Sequence, residues 1–438
     1  MAKNQSYYLK KLIIHYFRFN KLKSLKALFL QITSESLGGI NLLMLVPLIN
    51  MINNVEHIRH DKISQIMMSL FDYLGLEHEL ITILIFFIIT FILITLLQRT
   101  STLINSINQQ NFITSMRSGF FNLLTDADWN FLRKEKSSNY VKVVTTDINS
   151  CGNAVNQVLT LTSSLMTALI NFIIAFILSP LLSVIGIITI LILILVIKRN
   201  NNLIFKTGSS IQESMKEIFS QITDLINGIK LTKLFGNEEY QKKNFEELSL
   251  KIEQQRVKVQ IRQFYSRSVY GITAAIFLSA FIYFGVEYFN IGTASLLLLI
   301  YIFSRLTSSF SQAFQNYQRI ISALPNYADY ISYTAKLKKM SEKSEGTIYI
   351  NDFRKTVEFD NIHFSYDKSR SNLLQGISFK INKGDITTLI GASGLGKTTI
   401  ADLMTGMLQP ETGNILIDDI DLKSINLRSW RKLIGYIN

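Results

Sequence analysis

Residues 385–404 read DITTLIGASGLGKTTIADLM. Within them Gly391–Thr398 matches the phosphate-binding pattern G-x-x-x-x-G-K-[ST]. Each residue type has a physical reason. Gly391, Gly394 and Gly396 let the backbone turn its N–H groups inward around phosphate oxygens. Lys397 reaches the β- and γ-phosphates as a point charge, and the Thr398 hydroxyl can ligate Mg²⁺. The loop opens a helix whose positive end lies under the phosphates, with Ile400, Leu403, Met404, Met407 and Leu408 at helical spacing. The run DITTLI (385–390) is a candidate buried strand leading into the loop. The residues expected to hold the nucleotide are Gly391, Ser393, Gly394, Leu395, Gly396, Lys397, Thr398 and Thr399, with Mg²⁺ on Thr398.

Working outward, two strand-like runs precede the loop. The first carries Val357, Phe359, Ile362, Phe364 and Tyr366; the second alternates Ile377, Phe379 and Ile381. Before them AKLKKMSEKSEGT (335–347) is charged, small and aperiodic, and the spacing assigns 331–349 to a linker. After the loop the carboxylates Asp402, Glu411, Asp418, Asp419 and Asp421 follow no hydrophobic-run-then-Asp-Glu pattern, and they read as solvated charges.

Upstream of the linker the chain changes character. Over 438 residues, 48% are hydrophobic and 18% charged, with a mean hydropathy of +0.24. A soluble domain carries about 25% charged residues, so this chain is too apolar for one and too ordered in composition for disorder. Cys151 is the only cysteine, which excludes an internal disulfide. Six apolar stretches are long enough to be spans: 26–49, 80–97, 158–178, 181–198, 268–287 and 291–309. The basic N-terminus lacks a small-residue cleavage site, so no cleavable signal peptide is expected. Residues 1–26, 98–157 and 198–267 hold seven, six and thirteen Lys and Arg, against Arg59 and Lys62 between the first two spans. Positive segments stay cytoplasmic, which places both termini and the two long connections inside. The net charge of +13 is then largely a matter of topology, and nucleic acid is not an expected partner. The long connections hold no proline and read as membrane helices continuing into the cytosol, rather than as loops. A soluble helical hairpin without a mechanical role is the alternative.

The whole pattern resembles an ABC transporter of the exporter half-transporter type. The segment LLQGISFKINKGDITTLIGASGLGKTTIADLMTGMLQPETGNILIDD (373–419), the stretch INGIKLTKLFGNEEY (226–240) and the placement of Tyr366, 25 residues before Gly391, carry the likeness. The resemblance implies a six-span helical membrane domain over 1–330 and the first part of an α/β ATP-binding domain over 350–438. It further implies that Tyr366 stacks on adenine, that ATP and Mg²⁺ are cofactors, and that the chain works as a homodimer, or as a heterodimer with a complete half-transporter. The site would lie in a bacterial inner membrane, exporting a peptide, a lipid-linked compound or an amphipathic substrate by alternating access. Asp418-Asp419 departs from the commoner Asp-Gly turn. The family's Gln, signature motif, Walker B carboxylates and switch His would all follow Asn438, so the resemblance implies that the 438 residues alone bind nucleotide without a catalytic base. The alternative reading is a truncated nucleotide-binding membrane protein without hydrolysis or transport; a membrane-anchored P-loop kinase lacks an acceptor site and a catalytic Asp.

Within the spans, Glu35 sits among hydroxyls and glycines in QITSESLGGIN and is a cavity candidate, as is Arg305 near the cytosolic end of the sixth span. Asn171 reads as a helix–helix hydrogen bonder, and the aromatics Phe277, Phe281, Tyr283 and Phe284 as packing. Trp129 and Phe131 fall near the tip of the first arm, where the resembled family places a short transverse helix that docks on the ATPase domain.

Overall fold

The computed structural model describes residues 2–44, 48, 69, 71–73, 75, 77, 79–178, 180–287, 293–342, 346–366, 373–392 and 394–437. They divide into two compact units: Met1–Gly119 with Ser138–Ser332, and Phe120–Ser137 with Tyr333–Asn438.

The first unit is helical. Its helices are α1 (Ala2–Phe19) and α2 (Lys21–Leu43), α3 (Leu80–Thr125), which continues past the unit boundary, and, beyond the arm tip, α5 (Ser137–Lys142) and α6 (Ile148–Leu178). Then come α7 (Pro180–Asn227), α8 (Ile229–Leu234), α9 (Glu238–Glu287) and α10 (Thr293–Lys339). The described parts of the six apolar stretches fall on α2, α3, α6, α7, α9 and α10; residues 45–47, 49, 291 and 292 lie outside the described residues. Among the described residues, two helices are long and apolar enough to cross a membrane, Leu80–Thr125 and Ser137–Ile177. Helix α3 shows how span and connection join. Its 46 residues run without a break for about 69 Å, because no proline or glycine pair interrupts them.

Proline is placed where helices tolerate it. Pro180 opens α7, where its missing N–H has no partner to lose. Pro325 lies inside α10, at a point where α7 packs closely against that helix. A Cβ on Gly208 of α7 would lie 3.0 Å from the Ser322 carbonyl and 3.6 Å from Pro325 Cγ. Polar side chains also lace α7, α9 and α10 together. Asn200 donates to Arg262 O and Ser266 Oγ, and Gln318 to Ser266 Oγ and Asn201 Oδ1, around the buried Ile204, Val259 and Ile321.

Between α5 and α6 the backbone widens into one π turn, Val143–Asp147. A buried ion pair closes it: Lys142 Nζ lies 2.9 Å from both Asp147 oxygens and 3.2 Å from Asp329, which also meets Lys216 at 3.0 Å. Both Lys142 and Asp147 are shielded from solvent.

In the second unit α4 (Trp129–Lys134) is capped by Asp128, whose carboxylate accepts from Phe131 N–H. Four strands form an antiparallel sheet of order β2-β1-β3-β4: β1 (Thr356–Phe364), β2 (Leu374–Asn382), β3 (Thr412–Ile417) and β4 (Ile420–Asp421). Phe359 is paired with Phe379 on one side and Ile415 on the other. Its ring stacks on Phe379 at 4.4 Å. Helices α11 (Lys397–Met404) and α12 (Leu427–Arg431) complete the unit. Leu403, Leu408, Leu427 and Trp430 join Val357, Ile362, Phe364 and Ile417 in one core.

Two expectations need correction. Residues 385–390 are not a buried strand: they lack ladder pairing, and Ile386 and Ile390 are almost fully exposed. A central strand needs a neighbour to take its N–H and C=O groups, and no described strand lies alongside. The sheet is accordingly antiparallel throughout, without the strand expected before the phosphate loop. The linker also starts later than expected, because α10 runs to Lys339. AKLKK is helix-favouring, and Lys336, Lys338 and Lys339 sit in the last turn, where the helix dipole favours cations.

Candidate nucleotide site

The glycines of the loop are needed by the backbone itself. Gly394 and Gly396 have φ of +89° and +94°, where an L side chain is strained. At Gly396 a Cβ would also lie 2.9 Å from Leu374 Cδ2, so β2 reaches the loop at its closest point. Gly396 caps α11, its carbonyl accepting from Ile400 N–H at 2.9 Å. The first N–H groups of α11 have no partner inside the helix, and the helix dipole adds a positive potential there.

The functional side chains are held by groups of the loop itself. Lys397 Nζ donates to Gly391 O at 2.7 Å and to Ala392 O at 2.8 Å, so the ammonium lies across the loop. Phosphate oxygens are charged acceptors and form stronger bonds with it than neutral carbonyls do. Thr398 is exposed. Its hydroxyl makes no hydrogen bond with a described residue, which suits it to a Mg²⁺ carried with the phosphates. Thr399 is buried, and its Oγ1 lies 2.9 Å from the Tyr366 hydroxyl. These residues fit a nucleoside triphosphate. Such a ligand would supply the phosphoanhydride bond, and the chain would offer the N–H cradle, the Lys397 charge and the Thr398 hydroxyl.

Tyr366 follows β1 by two residues. Its ring packs on Phe364 at 4.9 Å, nearly perpendicular, and carries the Arg133 guanidinium of α4 at 3.9 Å. Burial pushes the Asp402 carboxyl up, and the nearby Arg133 charge opposes that.

The structure therefore brings together Tyr366, Gly396, Lys397 and Thr399, which the sequence proposed from separate runs. Gly391, Gly394 and Leu395 lie with them on the loop, and Ser393 is outside the described residues. Glu35 and Arg305 belong to the other unit. Each is half-buried, and neither forms an ion pair with a described residue. Asn171 is buried and donates to Thr167 O at 2.8 Å within its own helix. Phe277 packs on Phe303, and Tyr283 is largely exposed. Arg133 was not foreseen. Nothing in DADWNFLRKEK distinguishes it from its basic neighbours, and only the fold brings it to Tyr366.

A phosphate-binding loop on a small sheet unit, carried on the same chain as long apolar helices, defines a nucleotide-binding membrane protein of the P-loop class. Comparison with protein families is consistent. The ABC transporter transmembrane region matches residues 5–314, and the ABC transporter domain matches residues 374–438. The chain belongs to the ABC transporter family, with the exporter-type order of membrane region before ATP-binding segment. Among curated relatives, the heterocyst differentiation ATP-binding protein HepA of Nostoc sp. is 21% identical over 331 residues, covering 75% of this chain and 54% of that protein. The ATP-dependent lipid A-core flippase of Coxiella burnetii is 24% identical over 236 residues, 53% of this chain and 39% of the flippase. That of Haemophilus ducreyi is 26% identical over 240 residues, 52% and 40%. The chain thus spans about half the length, or less, of the curated relatives it matches.

Proposed function

We propose that this chain supplies the membrane domain and the phosphate-binding half of an ATP-driven exporter in a bacterial inner membrane. The carrying observation is the preformed loop of Gly394, Gly396 and Lys397 on the same chain as a transmembrane region of this family. Both termini would face the cytoplasm. ATP would bind with Mg²⁺ on Thr398, and a second subunit, identical or complementary, would close over the phosphates. Closure would favour one arrangement of the spans, since a ligand shifts a conformational equilibrium by its differential affinity for the two states. The carboxylates Asp402, Glu411, Asp418, Asp419 and Asp421 follow no hydrophobic-run-then-Asp-Glu pattern and are not proposed as hydrolytic groups. The names of the flippase relatives favour a lipid-linked, amphipathic substrate over a peptide, and they favour export over a nucleotide-binding protein without transport. Glu35 and Arg305 are the candidates to meet that substrate.

The test is transport in proteoliposomes that hold this chain with a subunit completing the ATP site. ATP should move a fluorescent lipid-linked saccharide between leaflets, and Lys397→Ala should abolish the movement while membrane insertion is retained. Movement that is independent of ATP, or unchanged in Lys397→Ala, would overturn the proposal.

A further inference from the structure

Several side chains that would meet a nucleotide are already engaged by the chain. Lys397 is bonded to Gly391 and Ala392, Thr399 to Tyr366, and the Tyr366 ring is covered by Arg133. The last contact is the informative one. At 3.9 Å the guanidinium is in van der Waals contact with the ring, whereas a base between them would need roughly 7 Å, two contact distances of about 3.5 Å. Phe364, buried in the core, packs nearly perpendicular to that ring, and among the described residues Arg133 is the group that lies over its face.

We propose that Arg133 is a specificity-determining gate on the base site: it competes with adenine for the Tyr366 ring, and ATP binding displaces it, so that the helix carrying it responds to the base as well as to the phosphates. This rests on the nucleotide-site reading above. The helix is otherwise well tethered within its unit. Asp128 N–H donates to Met340 O at 2.8 Å, and Glu135 meets Lys336 at 2.8 Å. Loss of the Arg133–Tyr366 contact would therefore be felt as a local change beside Trp129, at the start of the same helix.

The simplest alternative role for a cation here is to attract phosphate, and it predicts the opposite sign. The experiment measures binding of Mg-ATP and of Mg-pyrophosphate to the 438-residue chain in lipid nanodiscs, with Trp fluorescence in parallel. The variants are Arg133→Ala and Arg133→Met, the second keeping the alkyl packing. Both should bind ATP about two- to fivefold more tightly than wild type, the range expected for loss of one exposed cation–π contact. Their pyrophosphate affinity should stay unchanged. The gain should vanish in a Tyr366→Ala background. ATP, but not pyrophosphate, should alter emission, and the change should be absent in Trp129→Phe. Weaker binding of both ligands in the Arg133 variants, or no change in either, overturns the gate. ATP binding that requires Lys397 but ignores Arg133 removes this inference alone. Failure of wild type to bind either ligand removes the nucleotide-site reading with it.

Discussion

Asp418 and Asp419 form the two-residue turn between β3 and β4, with φ of +48° and +70°. A turn of this hand matches the twist of the flanking strands and favours Asn, Asp or Gly. Asp419→Gly should therefore raise unfolding stability by about 0.5–1 kcal/mol, through relief of the left-handed strain. Asp418 is different, because its carboxylate accepts from the N–H groups of Arg354, Lys355 and Thr356 at 2.7, 2.6 and 3.0 Å. Burial pushes its carboxyl up, and these three bonds more than offset the push, holding it below the ordinary range. Asp418→Ala should cost about 2–3 kcal/mol, the scale of hydrogen bonds to a charged group. The folded state binds this proton less readily than the unfolded state. The contribution is therefore present at neutral pH and fades as pH falls below about 4. Thermal melts of wild type and Asp418→Ala should converge under acid; a constant gap from pH 7 to 3 would contradict the assignment. The sequence flagged this pair as a departure from Asp-Gly, but read both as solvated charges. The three N–H groups that Asp418 binds lie more than sixty residues away and have no local signature.

At the scale of elements, the ion pair that closes the π turn between α5 and α6 invites a test. Lys142 is buried against Asp147, and Asp329 adds a second acidic neighbour. Burial pushes the Asp147 carboxyl up, and Lys142 opposes this. Lys142→Met would leave a buried carboxylate without its cation and should cost about 3–5 kcal/mol, whereas Lys142→Met with Asp147→Leu should recover most of that. Acid should relieve the single variant, since protonation removes the uncompensated charge, so its deficit should shrink between pH 7 and 5. A deficit that grows on acidification, or a double variant no better than the single, would contradict a paired buried charge. Element boundaries divide by the same logic. The long helices were legible because apolar composition and scarce proline act locally. So were β1 and β2, whose alternation is local too. Residues 385–390 misled because a run such as Ile386, Leu389 and Ile390 becomes a strand only beside partners, and no described strand supplies them. The linker was placed too early because α10 carries helix-favouring lysines past the point where the apolar pattern stops.

Over the whole molecule, charge asymmetry and apolar stretches were enough to read a membrane protein from the sequence, and one loop was enough to read a nucleotide site. The grouping of Phe120–Ser137 with Tyr333–Asn438 was implied by the family resemblance, which places a docking helix at the arm tip, and not by any local pattern in the sequence. It depends on pairings such as Asp126 with Arg428 at 3.0 Å, between residues about 300 positions apart, and long-range pairing leaves no periodicity to read. The central proposal joins the two halves: the chain would be the nucleotide-responsive part of an exporter. Equilibrium binding of Mg-ATP to the full 438-residue chain in lipid nanodiscs, wild type against Lys397→Ala, tests it most directly. Saturable, Mg²⁺-dependent binding that Lys397→Ala removes is the predicted result. Absence of binding in wild type, or equal binding in Lys397→Ala, would contradict the account.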